Sequence, residues 1–306
     1  MNDRVFGVGY RRLPGRGPAR FAPWPIARTA LTLAWRKRST KLGAALCALV
    51  VFGHGMALTS VVLTQRLTSG SGNAQAAALD AVIGTVIGNV HTILATFIGV
   101  QLMATAFLLA IMAAGLIAED RRSGAMELYF SRPLTRRDYL LGKLLAAGLV
   151  PVATMVVPFV LLWLLAAGMS PPGAVQPLLG LLLPGLAGTV VAAALLTTTI
   201  LGGSALGERE RTVGVVYVVG LLMLTSLGDE LPEAGYPWAG YLSPLRNVQT
   251  LVDAMLDAGG GGVLLQMLTS RPETNPSVAL AVACVLGLTV LGLGVLVWRV
   301  RKEVSG

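Results

Sequence analysis

The sequence holds two cysteines and two histidines, the residue types most used as metal ligands and nucleophiles at neutral pH: Cys47, His54, His91 and Cys284. None has the company such chemistry needs. A zinc site draws several His, Cys or carboxylate ligands together at short spacings. No His-Glu-x-x-His pair is present, and neither cysteine has a neighbour at metal-ligand spacing. No Gly-x-Ser-x-Gly nucleophile turn occurs either. Gly202–Gly207 has the glycine spacing of a phosphate-cradling loop, but Glu208 stands where that motif needs a lysine, and the run is apolar. The expectation is a chain that is not an enzyme and holds no metal and no cofactor of its own. Cys47, Cys284 and His54 lie inside apolar runs, the cysteines as small hydrophobes and His54 as a packing or cavity-lining residue. His91 lies near the outer end of another run, as an interfacial polar residue.

Composition explains why chemistry is sparse. Hydrophobic residues make up 54% of the 306, and charged residues only 13%. Soluble domains carry about 25% charged residues, so lipid must solvate much of this chain. The net charge of +9 does not point to nucleic acid, because the basic residues flank apolar runs. They read as anchors at a membrane surface.

Six apolar runs carry that reading: Leu42–Thr64, Val90–Ala118, Leu144–Gly168, Pro177–Leu206, Val213–Leu227 and Val278–Trp298. Most can cross a hydrocarbon core of about 30 Å as helices. The fifth is short, and must tilt or be extended by its neighbours. Small residues recur in the apolar stretches, among them Gly180, Gly185, Gly202, Gly203 and Gly292, and permit close helix contact. Pro151 and Pro158 should bend the third span. The fold expected is all-α and polytopic.

Loop charges orient it. Ten Lys/Arg precede the first run, six lie in 119–143, two in 207–212 and three in the tail after Trp298, leaving only Arg66, Arg246 and Arg271 for the other side. That alternation fits six spans with both termini in the cytoplasm, and fits it at every loop. The expected organisation is an N-terminal segment 1–41, a six-helix domain 42–298 and a tail 299–306. Arg11-Arg12 stands about thirty residues before the first apolar run with no small-residue cleavage site, so no cleaved signal is expected. From Pro25 to about Lys41 the pattern suits a short helix lying in the cytoplasmic interface, in preference to a plain basic flank.

Two loops hold information. In the first, 119–143, Arg132 precedes a proline, so a helix from about Gly124 should end there. Its apolar surface would comprise Met126, Leu128, Tyr129 and Phe130. Thr135 and Asp138 have capping-box spacing, so the next helix starts near Arg136. Apolar side chains on a short helix in a charge-dense loop fit a docking surface, or a helix lying on the headgroups. Glu208-Arg209-Glu210-Arg211, between the fourth and fifth spans, is a second docking point or a solvated charge run.

The 25 residues Glu119–Lys143 resemble the membrane subunit of type-2 ABC exporters. The matching elements are Glu119, Gly124, Met126-Glu127-Leu128, Ser131-Arg132-Pro133, Arg136-Arg137 and Leu141-Gly142-Lys143, with Ala125 where the family usually has Thr or Ser. Span count and loop order agree over the whole chain. The subgroup most similar comprises permeases of gliding-motility systems and of copper-enzyme maturation. The resemblance implies that Gly124–Pro133 is a coupling helix docking on a separate ATPase, which binds ATP and Mg. It implies a pair of ATPases, a second permease chain and a bacterial inner-membrane location. A membrane anchor for a larger machine would use the same fold. An ion-coupled carrier is disfavoured by the lack of a carboxylate or lysine within the spans, where His54 is the one clear ionisable group.

The second loop, 229–277, faces outward. Ser243 then Pro244 form an N-cap and first helical position. Leu245, Val248, Leu251, Val252, Met255 and Leu256 share one face, while Arg246, Asn247, Gln249, Asp253 and Asp257 take the other. Gly259–Gly262 should end the helix. It is too short and polar to span, so it is expected to be interfacial or re-entrant, with Tyr236, Trp238 and Tyr241 as a headgroup belt. Leu242-Ser243-Pro244 is similar to the outward segment of the same family.

Overall fold

The computed structural model describes residues 23–71, 74–126, 135–170, 175–258 and 277–305. Among these there is no strand, and six helices are long and apolar enough to cross a membrane. The helices are α1 (Pro23–Trp35), α2 (Arg38–Ser71), α3 (Ala74–Val86), α4 (Val90–Met112), α5 (Gly115–Arg122), α6 (Arg136–Pro151), α7 (Val157–Met169), α8 (Val175–Leu206), α9 (Glu210–Glu233), α10 (Pro244–Met255) and α11 (Val278–Ser305). The fifth span, short as an apolar run, is 24 residues as a helix. That is about 36 Å at 1.5 Å per residue. Its polar ends simply continue the helical hydrogen bonding.

The second span is broken twice. Gly88 adopts a φ of +97°, which ends α3. Asn89 then caps α4, its side chain accepting from Thr92 N at 2.9 Å. At the other end a turn at Ala113–Ala114 separates α4 from α5. The apolar run gave no sign of α3 as a separate element.

The third span bends as the prolines demand. Pro158 has no N–H to give to the carbonyl four residues earlier, Thr154. The backbone answers with a π-helical turn at Val152–Val156, in which Val157 N bonds Val152 O. The freed Thr154 carbonyl accepts from Gln101 Nε2 of α4 at 2.7 Å, and the Thr105 and Thr154 hydroxyls lie 3.0 Å apart. Gln101 is fully buried. A polar lock therefore ties the second and third spans inside an apolar bundle.

Glycines set the closest approaches. A Cβ on Gly202 of α8 would lie 2.9 Å from the Gly292 carbonyl of α11, and one on Gly292 would lie 2.7 Å from the Thr198 carbonyl. The two spans touch backbone to backbone, the arrangement small residues permit in lipid. Gly214 of α9 meets the Ala110 carbonyl of α4 in the same way, at 2.8 Å. The P-loop-like glycine at 202 thus has a packing role.

Candidate functional site

The basic end of the bundle gathers α1, α5, the start of α6, the turn between α8 and α9, and the end of α11. Its centre is α5. No side chain of its own caps the start of this helix. Ser204 of α8 does so instead: its Oγ accepts from Ile117 N at 3.1 Å and Ala118 N at 3.2 Å, and donates to Ala114 O at 2.7 Å. In return, Arg121 of α5 donates through Nη1 to the Ala205 and Gly207 carbonyls, at 2.7 and 3.1 Å. Those are carbonyls that the end of α8 leaves unbonded. Each helix therefore satisfies the orphan groups of the other.

Arg121 also reaches Glu303 of α11 at 2.9 Å, and Arg299 shares that carboxylate at 3.2 Å. Asp120 points the other way. It accepts from the Tyr139 hydroxyl at 2.9 Å and lies 2.6 Å from Lys143 Nζ, both on α6. Tyr139 is fully buried and Lys143 4% exposed, with the ammonium 5.4 Å from the tyrosine ring centroid. An ammonium this deep requires a partner, and the sequence reading, which set Lys143 at the edge of the span, assigned it none.

Of the expected docking residues, Glu119 lies on the open face of α5 and pairs with Arg122 at 2.9 Å. Gly124 has a φ of +68° and nothing within 4 Å of a built Cβ. It ends α5, with Ser123 N bonding Glu119 O and Gly124 N bonding Arg121 O. The new helical turn starts after it, at Ala125–Met126, and not at Gly124 itself, because a left-handed residue cannot continue a right-handed helix. Met126 is only 7% exposed and belongs to the bundle core, so it is no part of a free apolar surface. Glu127, Leu128, Tyr129, Phe130, Ser131, Arg132 and Pro133 lie outside the described residues. On the far side of that segment the capping box forms as expected: Asp138 N donates to Thr135 Oγ1, and Thr135 N to the Asp138 carboxylate. Arg136 is exposed at the first position of α6.

In the second turn, Glu208, Arg209 and Arg211 are exposed. Glu210 is not free, because it pairs with Lys37 and its side chain lies against Gly115. It ties the junction of α1 and α2 to α5 and α9.

At the opposite end, Ser243 caps α10 by accepting from Arg246 N at 3.1 Å, and Pro244 and Leu245 are buried with it. The polar face is bonded within the protein. Asn247 donates to Tyr241 O at 2.8 Å, Arg246 Nη1 to Gly228 O at 2.6 Å, and Gln249 Nε2 to Asp253 at 2.6 Å. His91 Nδ1 lies 2.9 Å from Leu256 O, fastening the end of α10 to α4. Gly99 of α4 and Gly188 of α8 make room for Gln249 and Val252. Gly259–Gly262 lie outside the described residues. His54 bonds back to Val50 O at 2.9 Å and packs edge-on to Phe97, a packing residue.

The arrangement at the basic end joins helices. The loop between Met126 and Thr135 leaves from α5 and returns to α6, and these two helices are cross-linked to each other and to α8 and α11. No curated protein matches the chain. A family model described as ABC-2 family transporter protein matches residues 58–299, which takes in the last part of the first apolar run, the other five runs whole, and Asp120, Arg121, Lys143 and Ser204 of the cross-linked basic end. This multi-pass membrane protein therefore belongs to the ABC-2 transporter family, as a permease component of an ABC transporter.

Proposed function

We propose that the chain is the permease half of an exporter whose separate ATPase docks on the segment around Gly124–Pro133. The reading is supported most by the Asp120–Lys143 pair. It makes the helix entering the docking segment and the helix leaving it move as one. Closure of two nucleotide-loaded ATPases, which bind the ATP and Mg, displaces that joint. Arg121 and Ser204 carry the displacement into α8 and α11, since packed helices shift as rigid bodies. A second permease chain completes the translocation path. The basic end lies in the cytoplasm of a bacterial cell, with both termini there and α10 re-entrant from outside. The resemblance of Glu119–Lys143 to the permeases of gliding-motility systems and of copper-enzyme maturation supports a place in that subgroup as part of the same reading.

The test is co-purification from the native membrane. A protein carrying a Gly-x-x-x-x-Gly-Lys-Ser/Thr motif should accompany the wild-type chain. Glu127→Arg or Phe130→Asp should abolish that association and the stimulated ATPase rate. Unchanged association in both variants would sink the docking assignment.

A further inference from the structure

We propose that α1 and the cleft beneath it form a binding site for an anionic phospholipid, with the headgroup phosphate on Arg28 and Arg36 and an acyl chain in the cleft. Arg28, Thr32 and Arg36 follow one another at four-residue intervals and so lie along one stripe. All three are exposed. They line a hollow of about 500 Å³ together with Trp24 and Leu33. Thr32 and Arg36 also line a second, larger cleft of about 790 Å³, which runs between α1, α2, α4 and α6. The two spaces meet at these residues.

The walls decide the class of ligand. Beyond the mouth, the larger cleft is lined by Ala44, Leu108, Met112, Leu149 and Val150, and among the described residues no acidic one lines either space. Among the described residues, neither arginine has an ion pair. This contrasts with Lys37 beside them, which Glu210 neutralises. Trp24 and Trp35 are 49% and 54% exposed on either side of the stripe, the placement of tryptophans at a headgroup layer. The opposite side of α1 is fixed: Gly142 of α6 takes Ile26 and the Pro23 carbonyl at van der Waals limits, 2.9 and 3.1 Å from a built Cβ. A cationic rim over an apolar slot suits an amphiphile with one negative head. A soluble anion would use the rim only, and a neutral lipid the slot only.

The full chain, purified in neutral detergent, is titrated with phosphatidylglycerol or phosphatidylcholine and bound lipid is read by native mass spectrometry. Phosphatidylglycerol should be retained preferentially. Arg28→Gln with Arg36→Gln should weaken its retention about 30-fold, as two cations near an anionic surface are worth together. Arg28→Lys with Arg36→Lys should keep most of it. Ala44→Trp, which fills the slot and leaves both arginines, should also displace the lipid. Inorganic phosphate should not compete. Equal retention of the two lipids, competition by phosphate, or wild-type retention in either the glutamine or the Trp variant overturns the site. Elution volume and melting temperature serve to confirm that each variant is folded.

Discussion

Lys143 of α6 places its ammonium 2.6 Å from the Asp120 carboxylate of α5, and this pair closes the base of the loop that separates the two helices. Breaking one partner leaves the other charge uncompensated, which for buried pairs costs about 3–5 kcal/mol. Lys143→Met and Asp120→Asn should each lower the melting temperature of the purified chain substantially. The double variant should be more stable than the Lys143→Met and Asp120→Asn effects combined, because no lone charge remains. Additive losses in a double-mutant cycle would show that the pair is not coupled.

Gln101 replaces the hydrogen bond that Pro158 cannot give. Gln101→Leu should therefore destabilise the chain by about 1–2 kcal/mol, the range for one interhelical hydrogen bond in a membrane. Adding Pro158→Ala should recover part of the loss, since the new N–H can take the Thr154 carbonyl. Thermal denaturation of the two variants in one detergent measures both steps. A double variant less stable than Gln101→Leu alone would refute the account.

Backbone contact between α8 and α11 makes Gly202 sensitive to a single methyl. Gly202→Ala should cost about 1–3 kcal/mol through overpacking, because its Cβ would meet backbone that cannot turn aside. Gly203→Ala should be tolerated, with its nearest neighbour 4.0 Å away. The expected contrast in melting temperature tests packing directly. Equal sensitivity at both positions would point to another role for this glycine run.

Ser204→Ala removes the cap of α5. A lost N-cap costs about 1 kcal/mol, and the effect should be local. Amide exchange should quicken at Ile117 and Ala118 and leave α4 unchanged. Exchange at wild-type rates in α5 would mean that Ser204 does not hold that helix.

Much of the architecture was legible in residues because the bilayer restricts the answer. Apolar runs of spanning length, basic flanks and proline positions identify spans and their bends, and Thr135 with Asp138 or Ser243 with Pro244 identify helix starts by short-range bonding alone. The turn at Ala113–Ala114 was not legible, because it interrupts a run that stays apolar throughout, and Gly88, which ends α3, stands just before that run. Met126 was assigned to an open surface because apolarity marks burial and docking alike, and only neighbouring helices tell them apart. The polar face of α10 was legible as a pattern, but the pairing of Asn247 with Tyr241 was not, because that bond depends on how the preceding turn folds back.

By itself the sequence determined a six-span helical membrane protein and the two loops of interest, since those depend on hydrophobicity, charge and bonds between near neighbours. Only the tertiary structure decided that Lys143 pairs with Asp120, that Ser204 and Arg121 exchange caps, and that Gln101 serves Pro158. Each of these joins groups distant along the chain, and such pairings exist only once the helices have packed.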